Sequence, residues 1–374
     1  MRLRAIVGAT LCVVALVLLF LVTRRSQEIR RVVPQLPRTV SAAPDTDVIV
    51  ARVSPDVPSV VRDAAVAVLV QPTLDRDAAA ARTTVLVATW GDGPDQLGRR
   101  VGNESNPEAP MALSVAPDGE VIVVDQANRR LQRFRDGRRI ASVALASAGV
   151  QDLAQLPQGR VAVLDRLADA TVRVHDSSGA VTSTISVLGG PIAEGASATG
   201  VFADEHGVYI EREHGALIRI AGPDGQANEG RDTLWGRPSR DGTLTLRAAI
   251  FDRRAGDVDV SAHERASDAA SFVRRVRFGG PILHVMMLDS DARGSIYVAV
   301  DVGRESELAP YAITDEHGEV VRLAHDGAIT GSLRIAPAHG AVETFRSVTV
   351  GDDGAIYQLI VRDDGVEVVQ WRIP

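Results

Sequence analysis

Six short glycine turns recur along this chain at a nearly regular interval, and no other feature narrows its fold as far. Gly119, Gly159, Gly207, Gly242, Gly294 and Gly354 each separate two apolar runs, with spacings of 40, 48, 35, 52 and 60 residues and a mean of 47. From about residue 83 the runs are short and β-branched, and no long segment keeps a 3.6-residue apolar period. Met111 to Leu145 is the clearest unit: MALSVAPDG, EVIVVDQANRR, LQRFRDG and RRIASVAL are each about one strand long. Asp118-Gly119 and Asp136-Gly137 supply hairpin turns that tolerate a positive φ. The same grammar returns from Val150 to Val187, from Ala198, from Ile282 and from Phe345, with a looser copy through TLTLRAAIFD, DVDVSAHE and FVRRVRF.

A period of this length with four strands per unit is the signature of propeller blades, so six turns predict a six-bladed, all-β propeller with four-stranded antiparallel blades. The two ends of the chain agree with that reading. The last copy stops after its third strand at Pro374, while a spare strand, Thr84–Trp90, precedes the first blade. If the spare strand fills the missing outer slot, strands from both ends close the ring and no edge is left open.

The first blade also resembles an NHL-type repeat. That pattern has a Gly-rich outer turn, a proline before the first strand, a D-G hairpin, an apolar strand ending in Asp and an N-R pair. Trp90, Gly93, Pro110, Asp118, Gly119, Val123, Asp125, Asn128, Arg129 and Phe134 carry the match. It is good over blade one, partial over blades two, five and six, and little more than periodicity in blades three and four. The resemblance implies a fold, on which both binding modules and some lyases and hydrolases are built.

Ahead of the repeats lies a different kind of sequence. Ala5 to Val22 is an 18-residue run without a charge, flanked by Arg2 and Arg4 on one side and Arg24 and Arg25 on the other. As a helix it would span about 27 Å, enough for a hydrocarbon core. Thr-Arg-Arg-Ser follows it in place of an A-x-A-like cleavage site, which favours an uncleaved signal-anchor over a removed signal peptide. We expect residues 1–25 to be a transmembrane anchor, 26–82 a Pro/Ala-rich linker and 83–374 the propeller. The short basic head favours export and a periplasmic or otherwise extracytoplasmic body, although Arg24, Arg25, Arg30 and Arg31 count the other way.

Composition removes several functions. The 41 basic residues are all Arg, so no lysine exists to grip a P-loop phosphate or form a Schiff base. The single Cys, Cys12, lies in the apolar run, which excludes Cys-ligated zinc and intramolecular disulfides. Residues 1–31 carry a net +5 against −7 for the whole chain, leaving −12 on the rest. A body that acidic lacks the basic face nucleic acid requires, so no nucleic-acid partner is expected.

The most regular polar feature is an acid near the end of each blade's second strand: Asp125, Asp165, Glu211, Asp252, Asp301 and Asp363. These candidate rim acids could form a ligand-binding ring, or each could accept N–H groups in its own turn. Asp289, Asp291 and Gly294 resemble half a calcium loop but coincide with a hairpin turn and lack the bidentate Glu. Neither G-x-S-x-G nor H-E-x-x-H occurs, so no catalytic residue and no metal ligand set is assigned. Paired arginines, including Arg129-Arg130, Arg253-Arg254 and Arg274-Arg275, read as solvated surface pairs. Residues 303–310 and 315–318 enlarge a turn of the fifth blade and are the favoured partner contact.

The resulting expectation is a membrane-anchored, non-catalytic binding or scaffolding module for an envelope protein or a small ligand, with no cofactor. The alternative is a divalent-metal-dependent hydrolase or lactonase resembling the gluconolactonase-like propellers. In it a cation, Ca2+ for example, would be held by Asp125, Asp165 and Asp301.

Overall fold

The computed structural model describes residues 81–101, 107–309, 312–337 and 344–374, and arranges them as six four-stranded antiparallel sheets. The chain enters on β1 (Ala81–Thr89) and then lays down five blades of four consecutive strands each. Blade one is β2 (Leu113–Val115), β3 (Val121–Asp125), β4 (Arg130–Arg135) and β5 (Arg138–Ala144). Blade two is β6 (Val150–Gln155), β7 (Val161–Asp165), β8 (Thr171–His175) and β9 (Val181–Ser186). Blade three is β10 (Ala198–Asp204), β11 (Gly207–Arg212), β12 (Ala216–Ala221) and β13 (Thr233–Trp235). Blade four is β14 (Arg237–Pro238), β15 (Leu244–Asp252), β16 (Asp257–Glu264) and β17 (Ala270–Arg277).

Blade five follows as β18 (Ile282–Ser290), β19 (Ile296–Glu305), β20 (Ile313–Leu323) and β21 (Ile329–Ile335). Blade six is β22 (Val348–Val350), β23 (Ile356–Val361) and β24 (Gly365–Arg372), completed on its outer side by β1. The expected closure is therefore present. β1 pairs with β24 from Ala81↔Arg372 to Thr89↔Gly365, and Leu86 and Ala88 are buried in it. Glu367 on β24 accepts hydrogen bonds from Arg82 Nη2 at 2.8 Å, Thr84 Oγ1 at 2.6 Å and Arg362 Nε at 3.0 Å.

The local chemistry explains the strands. The second strands of blades one and two are flanked on both faces by neighbouring blades, so β3 and β7 are apolar up to their terminal Asp and every residue of each is buried. The outer strand β5 alternates exposed and half-buried side chains, as a strand with one covered face should. All six first-hairpin glycines have positive φ; Gly119, at 83°, sits where an L side chain would be strained.

Side chains of adjacent blades interdigitate as five apolar clusters, which join blades one to two, two to three, four to five, five to six and six to one. Among the described residues, blades three and four share no such cluster. Their facing sides carry Tyr209, Glu211 and Arg219 against Thr245, Arg247 and His263, and are tied by polar contacts: Arg265 to Asp204 and Tyr209, Arg237 to Glu211. This polar seam is also where blade four is incomplete. Gly236 alone links β13 to β14, and β14 covers β15 only at Thr245 and Leu246.

Two expectations are refined. The enlarged turn of blade five is an elongated hairpin, with Arg304↔Thr314 and Glu305↔Ile313 still paired, so residues 315–318 lie within β20. The expected membrane anchor and most of the linker lie outside the described residues. Among those described, no helix is long and apolar enough to cross a membrane.

Candidate functional site

Strand alternation places the ends of all second strands on one face of the ring, but the six candidate acids do not behave alike there. Asp125 is fully buried and saturated. Its Oδ1 accepts from Gly98 N–H at 2.8 Å, and its Oδ2 accepts from Asn128 Nδ2 at 2.9 Å and Arg130 Nε at 2.7 Å. Asp165 is equally buried and caps its own turn through Ala168 N–H at 2.9 Å. Asp252 is exposed and accepts from Arg254 and Ala255 N–H groups, and Asp363 is exposed just beyond β23. Asp301 is fully buried partway along β19, with its Oδ2 4.0 Å from His284 Nδ1.

Among the described residues, no group of three or more His, Cys, Asp or Glu is arranged to hold a metal ion. With Asp125 saturated by three donors and Asp165 capping a turn in another blade, Asp125, Asp165 and Asp301 do not fit a shared divalent cation. The half calcium loop is a turn as expected: Asp291 accepts from the N–H groups of Arg293 and Ser295 and from Tyr297 Oη, each at 2.9 Å. Burial and the neighbouring Asp291 push the Tyr297 phenol up to about 12.

The central channel is filled by side chains that sequence reasoning did not select. Phe202 lies between two guanidinium groups, Arg237 and Arg346, each 4.8 Å from its ring centroid. Arg346 reaches across the ring, donating to Asp152 through Nε at 2.8 Å and Nη2 at 2.6 Å, and to Val201 O at 2.9 Å. Burial alone would lower the Arg346 pKa, but Asp152 beside it prevails and raises it. Toward the other face Arg240 joins Asp352 at 2.6 Å, Val350 O at 2.7 Å and Ser290 O at 3.0 Å. Only about 40 Å³ remains open around Phe202.

A larger space lies beside the channel, on the acid-bearing face, between blades three, four and five. This cleft of about 590 Å³ is walled by Trp235, Leu246, Ile250, Val285 and Leu288, with Arg237, Arg247, Arg253, His214 and His284 as its basic groups. Its volume falls in the range of ligand-binding pockets. Trp235 is half exposed (52%), at the point where β13 passes into β14. Glu211, one of the six candidate acids, lies in the cleft wall and accepts from Arg237 Nε at 2.8 Å and Thr199 Oγ1 at 3.0 Å. Burial would raise its pKa. The Arg237 charge and hydrogen bonds from His214, Arg237 and Thr199 outweigh that and hold it at about 2. The structure thus brings Glu211 into the cleft and sets Asp301 next to the cleft residue His284, while Asp252 caps the turn after β15 and Asp125, Asp165 and Asp363 lie in other blades.

The paired arginines are not all solvated. Arg130 is bound to Asp125, and Arg275 is buried, bidentate to Asp259 and stacked over Phe251 at 3.2 Å. The one sequence signal pointing at the cleft is Trp235-Gly236-Arg237, an aromatic and a cation set where two blades join without a connector.

Fold and site together define the chain as a six-bladed β-propeller with a plugged channel and an eccentric cleft. Among solved structures it is similar to hydrazine synthase from Kuenenia stuttgartiensis, at 13% identity and a TM-score of 0.45 over 66% of this chain and 72% of that one. It is also similar to a streptogramin B lyase, at 9% identity and a TM-score of 0.40 over 79% and 98% of the two chains. Virginiamycin B lyase from Staphylococcus aureus matches at 9% identity and a TM-score of 0.40, over 78% and 98%. These likenesses are of fold alone. No family profile matches the chain, and no curated protein does.

Proposed function

We propose that the chain is a non-catalytic binding module, tethered to a membrane through residues 1–25, that recognises an extracytoplasmic protein or ligand in the seam cleft. The observation that carries this reading is the cleft itself: about 590 Å³, apolar-walled, with an exposed tryptophan and five basic groups, on a ring whose channel is closed. The NHL-like motif of blade one agrees with a rigid recognition platform, and the linker of residues 26–82 gives it reach.

The reading is tested in cells by placing a photo-crosslinking amino acid at Trp235, and for comparison at Val181 on the outer strand of blade two. Adducts specific to position 235 are expected. Adducts from position 181 alone would move the binding face away from the cleft. A C-terminal alkaline-phosphatase fusion tests the export of the body: activity is expected, and an inactive but expressed fusion would place the propeller in the cytoplasm.

A further inference from the structure

Half of the innermost strand of blade four is missing, and the cleft occupies its place. In blade five the inner strand β18 covers β19 from Ser290↔Ile296 to Ile282↔Val302. In blade four β14 pairs with β15 only at Arg237↔Leu246 and Pro238↔Thr245, although β15 runs on to Asp252. The cause lies in the connection. Residues 187–197 lead into β10 and 278–281 into β18, but only Gly236 leads into β14, so this connection leaves no chain to cover residues 247–252 and no other described strand does.

That uncovered edge has a definite polarity. Ser239 N–H donates to Leu244 O at 2.9 Å, so the backbone polar groups of Leu244 point inward. Antiparallel alternation turns those of Leu246, Ala248 and Ile250 the same way. Beyond Leu246 no described strand pairs with them, and Ala248 and Ile250 line the cleft. Residues 247–252 offer about 20 Å of open strand edge.

One cation beside this edge is left for a partner. Among the described residues the one carboxylate lining the cleft is Glu211, which is buried and held by Arg237, and Arg247 is bound to Asp268. Arg253 donates from Nη1 to Ile282 O at 2.7 Å and to Leu283 O, and among the described residues it pairs with no carboxylate.

Resting on the binding role proposed above, we propose that the occupant is an extended segment of a partner protein, with carboxylates among alternating apolar side chains. It docks as the missing inner strand of blade four, its main chain on Ala248 and Ile250 and a carboxylate on Arg253.

The test uses the full chain in detergent micelles. Residue-resolved hydrogen exchange should be fast at the Ala248 and Ile250 amides in the free protein and slow at those of Arg247 and Ala249, which face β16. A displayed random heptapeptide library is then panned, and the most enriched peptide is synthesised together with a form N-methylated at alternate amides and a form with lysine in place of its acids. The parent peptide is expected to slow exchange at the Ala248 and Ile250 amides at least tenfold. The N-methylated and lysine forms should bind at least tenfold more weakly, and Arg253→Glu, a change at an exposed position, should reverse the preference between acid and lysine. Equal binding of the N-methylated form, or no enrichment, would overturn strand addition. So would protection already present in the free chain: concentration-dependent protection would assign the slot to a second copy, and concentration-independent protection to the chain's own residues 26–80. Position-235 adducts that persist alongside any of these results would leave the binding role standing and remove only the strand.

Discussion

Asp152 has no contact with solvent, and both its oxygens accept from Arg346, with Val201 N–H as a third donor at 2.9 Å. A carboxylate in that position is stable only while the guanidinium is there, because an uncompensated buried charge costs far more than the pair gains. Arg346→Met should therefore lower unfolding free energy in urea by about 3–5 kcal/mol. Adding Asp152→Asn should cost less than the sum of the two single changes, since a neutral amide oxygen can still accept from Val201. Thr245 presents the opposite case. Its side chain is buried at the polar seam, and its hydroxyl has no hydrogen-bond partner among the described residues. Thr245→Val keeps the shape and removes the unmet hydroxyl, so stability should rise by about 1 kcal/mol in the same assay. Neither residue stood out in the sequence, because a buried ion pair 194 positions apart leaves no local pattern.

At the scale of the element, the closure was legible and the acids were not, for one physical reason. Counting strands is robust to their length, and the missing fourth strand of blade six had a spare counterpart in β1. Aligning acids by the ends of apolar runs is not robust. Asp125 and Asp165 both sit six residues after their hairpin glycines, but Asp252 and Asp363 sit ten and nine after theirs, past equivalent depth and in solvent. The short β14 was hidden for a related reason, since Gly-Arg-Pro reads as a turn whether or not a strand should be there. The closure makes a direct prediction. Leu86 is buried between β24 and blade one, and Leu86→Ala should destabilise the ring by about 2–5 kcal/mol in urea. A chain beginning at residue 91 should melt at lower temperature, and a synthetic peptide of residues 81–90 should raise that melting temperature again. No rescue by the peptide would show that β1 does not stabilise the ring by pairing.

For the whole molecule, what matters is that five blade junctions are apolar and one is polar. Apolar contacts are indifferent to pH, whereas the seam between blades three and four is itself built of groups whose protonation differs between folded and unfolded chains. Glu211 is held at about 2, against its ordinary 4.5, so its contribution is fully present above pH 4.5 and is lost as pH falls towards 2. His263 faces the same seam, and burial keeps it neutral by lowering its pKa below the usual 6.5, with the Asp268 carbonyl bond only partly opposing this. The unfolded chain takes up that proton first, so stability is lost on this account too as pH falls below 6.5. Both terms have the same sign and act at one junction, and the ring should therefore open there first. Hydrogen exchange followed from pH 7 to pH 3 should show segments 207–221 and 244–264 losing protection before β3 and β4, whose junction with blade six is the apolar one around Leu113, Phe134 and Leu359. Glu211→Gln should flatten the dependence below pH 4.5, removing a term on the order of 3 kcal/mol, and leave the limb near pH 6 in place. Uniform loss of protection around the ring would mean that the seam is no weaker than the apolar junctions. Loss led by the seam would show that the cleft lies where the propeller yields most easily, as a site that must admit a strand requires.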